Sequence, residues 1–231
     1  MTASEQLTVK TADGMELAAL WYPASHPKGW ALLVHMMPAT KESWDVLAQK
    51  LSQEGYSCLA IDLRGHGASF GGPDGYKHFT DREHQGSKQD LEAAWEFLCV
   101  HGARPEATAV LGASIGANLA LQFLAAHPQI RRGVLLSAGI DYRGLISADF
   151  AATVSASQEI LLATSRDDDS NAAQNEVLYK ALPSSMQKAL IVLDHGGHGT
   201  HMLSAGKEGD RLSAAVIEFI FHGIRSSFSE A

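Results

Sequence analysis

The stretch AVLGASIGANLALQFLAAHP, residues 109–128, decides the fold because its pattern changes around a single serine. Its first residues form a short, continuous apolar run, which is typical of a strand buried on both faces. The residues after Ser114 form a helical pattern that ends before Pro128. Ser114 lies between Gly112 and Gly116. The stretch therefore predicts a sharp turn from a strand into a helix, with a serine hydroxyl at its apex.

The same alternation extends along most of the chain. Continuous apolar runs indicate strands buried between two layers of helices, so the pattern favours right-handed crossovers and one doubly wound, mostly parallel α/β sheet. The predicted strands are WALLVHM, SCLAIDL, ATAVLGA, RGVLLSAG, EILLATS and ALIVLDH. The predicted helices lie within residues 41–55, 84–102, 114–128, 171–183 and 210–228.

The beginning of the chain has a different pattern. QLTVKT and MELAALWYP alternate with the two-residue period of half-buried strands and are joined by ADG, which predicts an antiparallel hairpin. The length of 231 residues suits one domain over residues 1–231. Residues 140–158 could hold a short helix but are too few for a cap domain. The glycine-rich loop 64–87 has a length that is often functional.

Composition restricts the class of partner. Charged residues make up 19% of the chain and the formal charge is −8, which argues against nucleic acid or an anionic membrane as a partner. The two cysteines, Cys58 and Cys99, form no CxxC pair, so neither a zinc site nor a disulfide framework is expected. No metal or cofactor is predicted. The sequence shows no signal-peptide pattern and no apolar run of about 20 residues, so a cytoplasmic location is the expectation.

The serine turn indicates nucleophilic chemistry. GASIG, residues 112–116, matches the nucleophile-elbow pattern GxSxG, in which small residues permit a tight turn and the helix start brings backbone N–H groups beside the hydroxyl. A serine is also a good helix N-cap, so the motif alone does not establish catalysis. A phosphate-binding loop fails as an alternative because neither GxGxxG nor Gly-Lys-Ser/Thr is present.

A serine hydroxyl needs a histidine base near neutral pH, and in this architecture an acid and a histidine follow the serine on later loops. The strand EILLAT is followed by SRDDDS, and the strand ALIVLDH is followed by GGHGTH. An aspartate cluster and then a histidine therefore follow Ser114 at the ends of later strands, in the order serine, aspartate, histidine.

With these features the chain resembles the α/β-hydrolases, especially compact bacterial esterase-like members without a lid, over nearly its full length. LGASIGANLAL is similar to the family's elbow, AIDLRGHGAS to its D-x-R-G-x-G-x-S loop, and GGHGT to its histidine turn. LLVHMMPATKESW stands where the family has a His-Gly strand end. The resemblance implies an α/β-hydrolase fold with an N-terminal antiparallel hairpin and no cap domain.

The resemblance also implies roles for individual residues. Ser114 is the expected nucleophile and His198 the general base. The family often has glycine or serine, two residues and then aspartate after the strand, which selects Asp168 through Ser165. The alternatives for the acid are Asp167, Asp169 and, after the preceding strand, Asp141.

Other histidines are expected to lie outside the catalytic group. His195 directly follows a strand, which is too early for a loop side chain to reach the site, and His201 falls on the next turn. His35 and His66 belong to loops whose histidines organise backbone, and both precede the serine.

The oxyanion hole needs two N–H donors. The resemblance assigns one to Ile115, directly after the nucleophile, and the other to Met37, with Met36 as the alternative. Here the sequence departs from the family, because Met36 replaces the usual glycine. The absence of an HGGG run separates the chain from esterases that accept bulky tertiary alcohol esters. Met36 and Phe70 are predicted to line an apolar substrate pocket.

These features predict a serine esterase that cleaves short-chain carboxylic esters through an acyl-enzyme, with a small-molecule ester as its partner and an oligomeric state that the sequence does not indicate. The same residues could serve a thioesterase, or an amidase or peptidase. A non-catalytic relative that binds a ligand would be expected to have lost part of the triad. A nucleotide-binding oxidoreductase would need the phosphate loop that is missing here.

Overall fold

A computed structural model describes residues 4–224 of the chain. Eight strands form one sheet in the order β1-β2-β4-β3-β5-β6-β9-β10. Both pairings of β2 are antiparallel and all the other neighbours are parallel. The strands are β1 (Glu5–Lys10), β2 (Glu16–Tyr22), β3 (Gly29–Val34), β4 (Tyr56–Ile61), β5 (Thr108–Ala113), β6 (Arg132–Leu136), β9 (Glu159–Ser165) and β10 (Gln187–Leu193). The predicted fold class and the N-terminal hairpin are confirmed.

Helices cover both faces of the sheet. They are α1 (Asp45–Gln53), α2 (Asp81–Gly86), α3 (Lys88–Val100), α4 (Ile115–Ala126), α5 (Ser147–Ala151), α6 (Asn171–Ala181) and α7 (Gly206–His222). α1 and α7 share one apolar core with one set of alternating strand residues, whereas α3, α4 and α6 pack on the other set. This two-sided burial explains why the central strands are continuously apolar. No helix within residues 4–224 has the length and apolar character to cross a bilayer.

Two predicted helices differ from the structure. The segment 84–102 is divided into α2 and α3, because Thr80 and Glu83 form a capping box that starts a separate short helix. The last helix begins earlier than predicted, at Gly206, and residues 225–228 of the prediction lie outside the described residues.

The segment between β6 and β9 contains more structure than the sequence indicates. It forms a small hairpin of β7 (Asp141–Tyr142) and β8 (Leu145–Ile146), followed by the five-residue helix α5. A side chain of α4, Asn118, anchors this hairpin through hydrogen bonds to the carbonyl oxygens of Gly139 (3.1 Å) and Leu145 (2.8 Å). Within residues 4–224 no cap domain is inserted here, as predicted.

The parallel register brings the loops after the central strands to one edge of the sheet. Ala113 at the end of β5 is paired with Leu136 of β6, and Leu136 is paired with Ala163 of β9. Ser165 at the end of β9 is paired with Leu193 of β10. The residues that follow these strands therefore meet at the carboxyl edge, where open α/β sheets place their sites.

Candidate active site

Ser114 lies at the apex of a strained turn between β5 and α4. Its φ of 54° and ψ of −122° are rarely adopted by a residue with a side chain and cost about 1–3 kcal/mol. The turn is held because the Ser114 N–H donates to the Leu136 carbonyl (2.8 Å) while its carbonyl accepts from the N–H of Ala117 (2.8 Å). Only 5% of Ser114 is exposed.

The two glycines of GASIG are required by close backbone contacts. A Cβ atom added to Gly116 would lie 2.5 Å from the carbonyl oxygens of both Val34 and His35. A Cβ atom on Gly112 would lie 2.1 Å from the Gly116 oxygen. These spacings explain the motif, since the end of β3 and the start of α4 pack together without room for a methyl group.

Asp168 and His198 form a hydrogen-bonded pair from the loops after β9 and β10. The Nδ1 atom of His198 lies 2.7 Å from Oδ2 of Asp168, and the Asp168 side chain is only 13% exposed. A carboxylate at this distance accepts a hydrogen bond from the Nδ1–H group, which keeps its proton, so the Nε2 atom is left as the base. Of the four candidate acids, Asp168 is the one that contacts this histidine.

The histidine loop lies directly beside the nucleophile elbow. The N–H of Gly199 donates to the Ser137 hydroxyl (2.9 Å) at the end of β6, and a Cβ atom on Gly199 would lie 3.5 Å from the Cβ of Ala113. Ala113 precedes Ser114 and Gly199 follows His198, so the Ser114 turn and the histidine loop pack against each other. No Ser114–His198 hydrogen bond is formed among the described residues. Catalytic contacts are often loose before substrate binds.

Asp167 holds the histidine loop instead of contacting His198. Its carboxylate accepts from the N–H groups of Gly196 and Gly197, at 3.1 and 3.0 Å, and from the Ser165 hydroxyl. The Ser165 bond, followed by the two backbone bonds, lowers the pKa of Asp167 to about 2. Asp167 therefore remains an anion that fixes the turn on which His198 is carried.

The remaining acid and histidine alternatives lie apart from this pair. The Asp141 carboxylate accepts from the Gly144 N–H (2.7 Å) within the β7–β8 turn. Asp169 is exposed and has a left-handed φ of 41°. His195 is exposed, with its Nδ1 atom 3.8 Å from Asp167, and His201 is exposed on the turn after His198.

The predicted oxyanion donors lie at the end of β3 and the start of α4. Neither the Met37 N–H nor the Ile115 N–H has an acceptor among residues 4–224. Ile115 is the first residue of α4, whose N–H groups point out of the helix end. The contact between Gly116 and the carbonyl of His35 brings the two donor segments together. This arrangement leaves two N–H groups free beside the Ser114 turn.

The two predicted pocket residues occupy different places. Met36 is 3% exposed, contacts Gly199, and forms part of the wall of a cavity of about 340 Å³ that Ala39, Leu47 and Thr200 also line. Phe70 is 61% exposed, and its N–H donates to the Glu16 carbonyl at the start of β2. β4 and β3 lie between β2 and β5, so the structure does not bring Phe70 together with the other site residues.

The histidines and charges before Ser114 organise loops. The buried His35 accepts from the Leu63 N–H at Nε2 (2.9 Å), while its Nδ1 lies 2.8 Å from the Met36 carbonyl. Burial, followed by repulsion from His66, lowers the pKa of His35 to about 4. Asp62 accepts from Lys41 Nζ and from the Lys41 N–H, both at 2.8 Å. These groups hold the β3 and β4 loops, and among residues 4–224 they form no hydrogen bond or ion pair with Ser114, Asp168 or His198.

Sequence reasoning missed Tyr142. Its ring lies edge-on to the His198 ring, with centroids 6.5 Å apart, and the neighbouring Ser114 and Asn171 side chains partly offset the effect of burial, which raises the pKa of the phenol. The available signal was its place in the loop after β6, three residues beyond the end of a buried strand run at Gly139. Nothing in the composition of that loop separates a site residue from a surface tyrosine.

Known structures show the same fold. DcsB, solved in complex with a substrate analogue, is similar with a TM-score of 0.80 and 13% identity over 96% of this chain and 100% of DcsB. An esterase from Pyrococcus furiosus is similar with a TM-score of 0.74 and 19% identity, over 97% of this chain and 92% of the esterase. A dienelactone hydrolase from Anabaena variabilis is similar with a TM-score of 0.74 and 18% identity, over 96% of this chain and 99% of the hydrolase.

Sequence comparison adds a curated relative and a family. The bifunctional esterase/perhydrolase of Acinetobacter calcoaceticus is 30% identical over 135 residues, which are 56% of this chain and 44% of that protein. The chain thus matches less than half the length of this relative. Residues 25–156, more than half of the chain, match the family model described as serine aminopeptidase, S33. With the GASIG elbow inside that match, the chain belongs to this family of α/β-hydrolases.

Proposed function

We propose that this protein hydrolyses carboxylic esters through an acyl-enzyme formed on Ser114. The observation that carries the proposal is the Asp168–His198 pair, 2.7 Å apart, placed beside the strained Ser114 turn by Gly199. The family match ends before Asp168 and His198, so these roles rest on the geometry of the site. The relative from Acinetobacter calcoaceticus, named an esterase, supports the same reaction class.

The first half of the reaction forms the acyl-enzyme. Nε2 of His198 takes the proton of the Ser114 hydroxyl while the serine oxygen attacks the ester carbonyl carbon. Asp168 keeps the imidazole in the required tautomer and stabilises the imidazolium. The N–H groups of Met37 and Ile115 stabilise the charge on the carbonyl oxygen, a contribution of several kcal/mol in comparable sites. His198 then gives its proton to the departing alcohol.

The second half regenerates the enzyme. Water attacks the acyl group, with Nε2 of His198 again as the base, and the carboxylic acid leaves as the bond to Ser114 breaks. The Ser114 turn places this residue at the carboxyl edge of the sheet beside the histidine loop, which favours reaction by proximity.

We further propose that short acyl groups are preferred. The segment between β6 and β9 contains only a small hairpin and α5, so in the described residues no cap encloses a long chain. The cavity of about 340 Å³ beside Met36 is at the small end of the range for ligand sites. Ser114 and His198 lie outside its wall, so an acyl chain would have to pass Met36 to enter it.

Peptide hydrolysis is the second candidate because the family description names an aminopeptidase. The same serine chemistry serves both reactions, but an amine leaves less readily than an alcohol. Turnover of aminoacyl p-nitroanilides and of p-nitrophenyl esters under one condition decides between them.

The proposed function is tested with a fluorophosphonate probe and p-nitrophenyl butyrate. The wild-type protein should be labelled at Ser114 and should release nitrophenolate, whereas Ser114→Ala should lose both activities without a change in its circular dichroism spectrum. The matched control is Ser157→Ala, which removes an exposed hydroxyl before β9 and should keep both activities. Labelling of Ser114→Ala at the wild-type rate would refute the assignment.

A further inference from the structure

Tyr142 is held against the site by its surroundings. It belongs to β7, and a Cβ atom added to Gly139 would lie 2.5 Å from the Tyr142 ring, so the ring packs directly on the loop backbone. The Ser147 hydroxyl donates to the Gly139 carbonyl (2.6 Å) on the same loop. These contacts leave little freedom for the ring to move away.

The nucleophile helix also fixes this hairpin. Asn118 lies four residues after Ser114 and binds both sides of the hairpin, since its side chain accepts from the Gly139 N–H and donates to the carbonyls of Gly139 and Leu145. Asn118 is fully buried. Asn118 therefore links the hairpin that carries Tyr142 to the helix that begins directly after Ser114.

The Tyr142 hydroxyl lies among the groups that would carry out the reaction. The side chains of Ser114 and Asn171 and the charge of Asp168 all act on the pKa of the Tyr142 phenol. Its ring is edge-on to the His198 ring, with centroids 6.5 Å apart and an interplanar angle of 86°. Burial raises the pKa of this phenol above its ordinary value, so it is a protonated donor at neutral pH.

Tyr142 and the oxyanion donors approach Ser114 from opposite sides. Met37 follows β3, whereas Tyr142 follows β6, and these two strands flank β5 on either side. An ester whose carbonyl oxygen points toward Met37 and Ile115 turns another substituent of the reacting carbon toward Tyr142. The His198 ring borders this same side, and His198 supplies the proton to the leaving oxygen.

We propose that the Tyr142 hydroxyl donates a hydrogen bond to the leaving-group oxygen of the ester. The inference rests on the proposed function. When the bond between the acyl carbon and the leaving oxygen breaks, its electron pair goes to that oxygen, which takes the proton from Nε2 of His198. Tyr142 keeps its own proton throughout and stabilises the charge that develops before proton transfer is complete.

The test uses Tyr142→Phe with two acetate esters of different leaving groups. An alkoxide concentrates its charge on one oxygen, whereas nitrophenolate spreads it over the ring and needs no donor. For ethyl acetate, kcat/KM should fall about tenfold or more, as expected for a lost hydrogen bond to a charged oxygen. For p-nitrophenyl acetate, kcat/KM should fall by less than about twofold. This parameter reports the steps up to acylation, and nitrophenolate already departs easily in acylation.

The matched control is Tyr179→Phe, another half-buried tyrosine, which lies on α6 with the Lys188 ammonium of β10 over its ring. It should leave both esters unaffected. Labelling of Tyr142→Phe by the fluorophosphonate probe at the wild-type rate checks that the site is intact, since the phenyl ring retains the packing on Gly139. Equal losses for both esters, or no loss for either, would overturn the inference. If the wild-type protein cleaves neither ester, the proposed function fails instead.

Discussion

Asp168 and His198 lie thirty residues apart in the sequence, and their side chains meet at 2.7 Å across the loops after β9 and β10. The preceding carboxylate, Asp167, faces the other way and accepts from the backbone of Gly196 and Gly197. Two adjacent aspartates therefore have different tasks. One contacts the imidazole, and the other holds the loop on which the imidazole is carried.

This division predicts the order of effects among the carboxylates. Asp168→Asn should reduce kcat for p-nitrophenyl butyrate severely, by up to the roughly 10⁴-fold known for serine proteases, because the amide favours the wrong histidine tautomer. Asp141→Asn and Asp169→Asn serve as matched controls and should keep most of the activity. Steady-state kinetics of all the variants at one pH provides the comparison, and equal small losses would contradict a triad acid at Asp168.

Asp167→Asn should mainly lower stability. The variant keeps an oxygen acceptor but loses the negative charge that strengthens the bonds from Ser165, Gly196 and Gly197. We expect a lower Tm and a smaller loss of activity than for Asp168→Asn. Differential scanning calorimetry at pH 7 measures the change, and an unaltered Tm would show that the loop does not depend on this anion.

The elbow glycine Gly116 should not accept a methyl group. In Gly116→Ala the new Cβ atom would meet the carbonyl oxygens of Val34 and His35 at 2.5 Å, and backbone atoms cannot shift cheaply. We expect a loss of about 1–3 kcal/mol in the free energy of unfolding, the usual cost of overpacking. Gly75→Ala is the control, because its Cβ atom would have no neighbour closer than 3.7 Å. Urea unfolding of both variants tests this difference.

Acyl-chain length should affect the rate only over the first few carbons. Each buried methylene adds about 0.8 kcal/mol, or roughly fourfold in kcat/KM, until the chain emerges into water. Without a cap in the described residues, we expect kcat/KM for p-nitrophenyl esters to stop rising between about two and six carbons on this estimate. A continued rise to palmitoyl esters, or activation at an oil–water interface, would reveal an enclosing element.

Acid should destabilise the protein through His35. Its pKa falls from an ordinary 6.5 to about 4 in the folded state, so between these values the unfolded chain binds a proton that the folded chain does not. Stability is therefore fully present above pH 6.5 and is lost toward pH 4, by up to about 1.4 kcal/mol for each pH unit. Burial raises the pKa of Asp90 to about 6, so below that pH the folded chain binds a proton more readily than the unfolded chain. Over part of this range Asp90 therefore offsets the loss of stability caused by His35.

A substitution isolates the histidine contribution. His35→Gln should flatten the dependence of Tm on pH between 5 and 7, since Asp90 is common to both proteins and its effect cancels in the comparison. His26→Gln, at an exposed position, is the control and should keep the wild-type dependence. An unchanged pH dependence in His35→Gln would show that another group is responsible.

The main features of the fold follow from local patterns. Strands buried on both faces must be continuously apolar, and a tight turn next to β3 must have glycines, so the sheet and the GASIG elbow could be recognised without coordinates. The division of 84–102 into two helices was missed, because the capping box of Thr80 and Glu83 lies outside that apolar repeat. The β7–β8 hairpin was missed as well, since two-residue strands carry no periodic signal.

By itself the sequence determined the alternation of strands and helices, the serine at its turn, and the later positions of an aspartate cluster and a histidine. The resemblance to the family favoured Asp168 over Asp167 and Asp169, but residue type alone does not separate them, because adjacent loop residues differ only in the direction that the backbone gives their side chains. Tertiary structure alone decided that Asp168 meets His198, that Asp167 binds the loop N–H groups, and that Tyr142 approaches Ser114. These contacts join residues from different strand ends, and only the register of the folded sheet sets their distances.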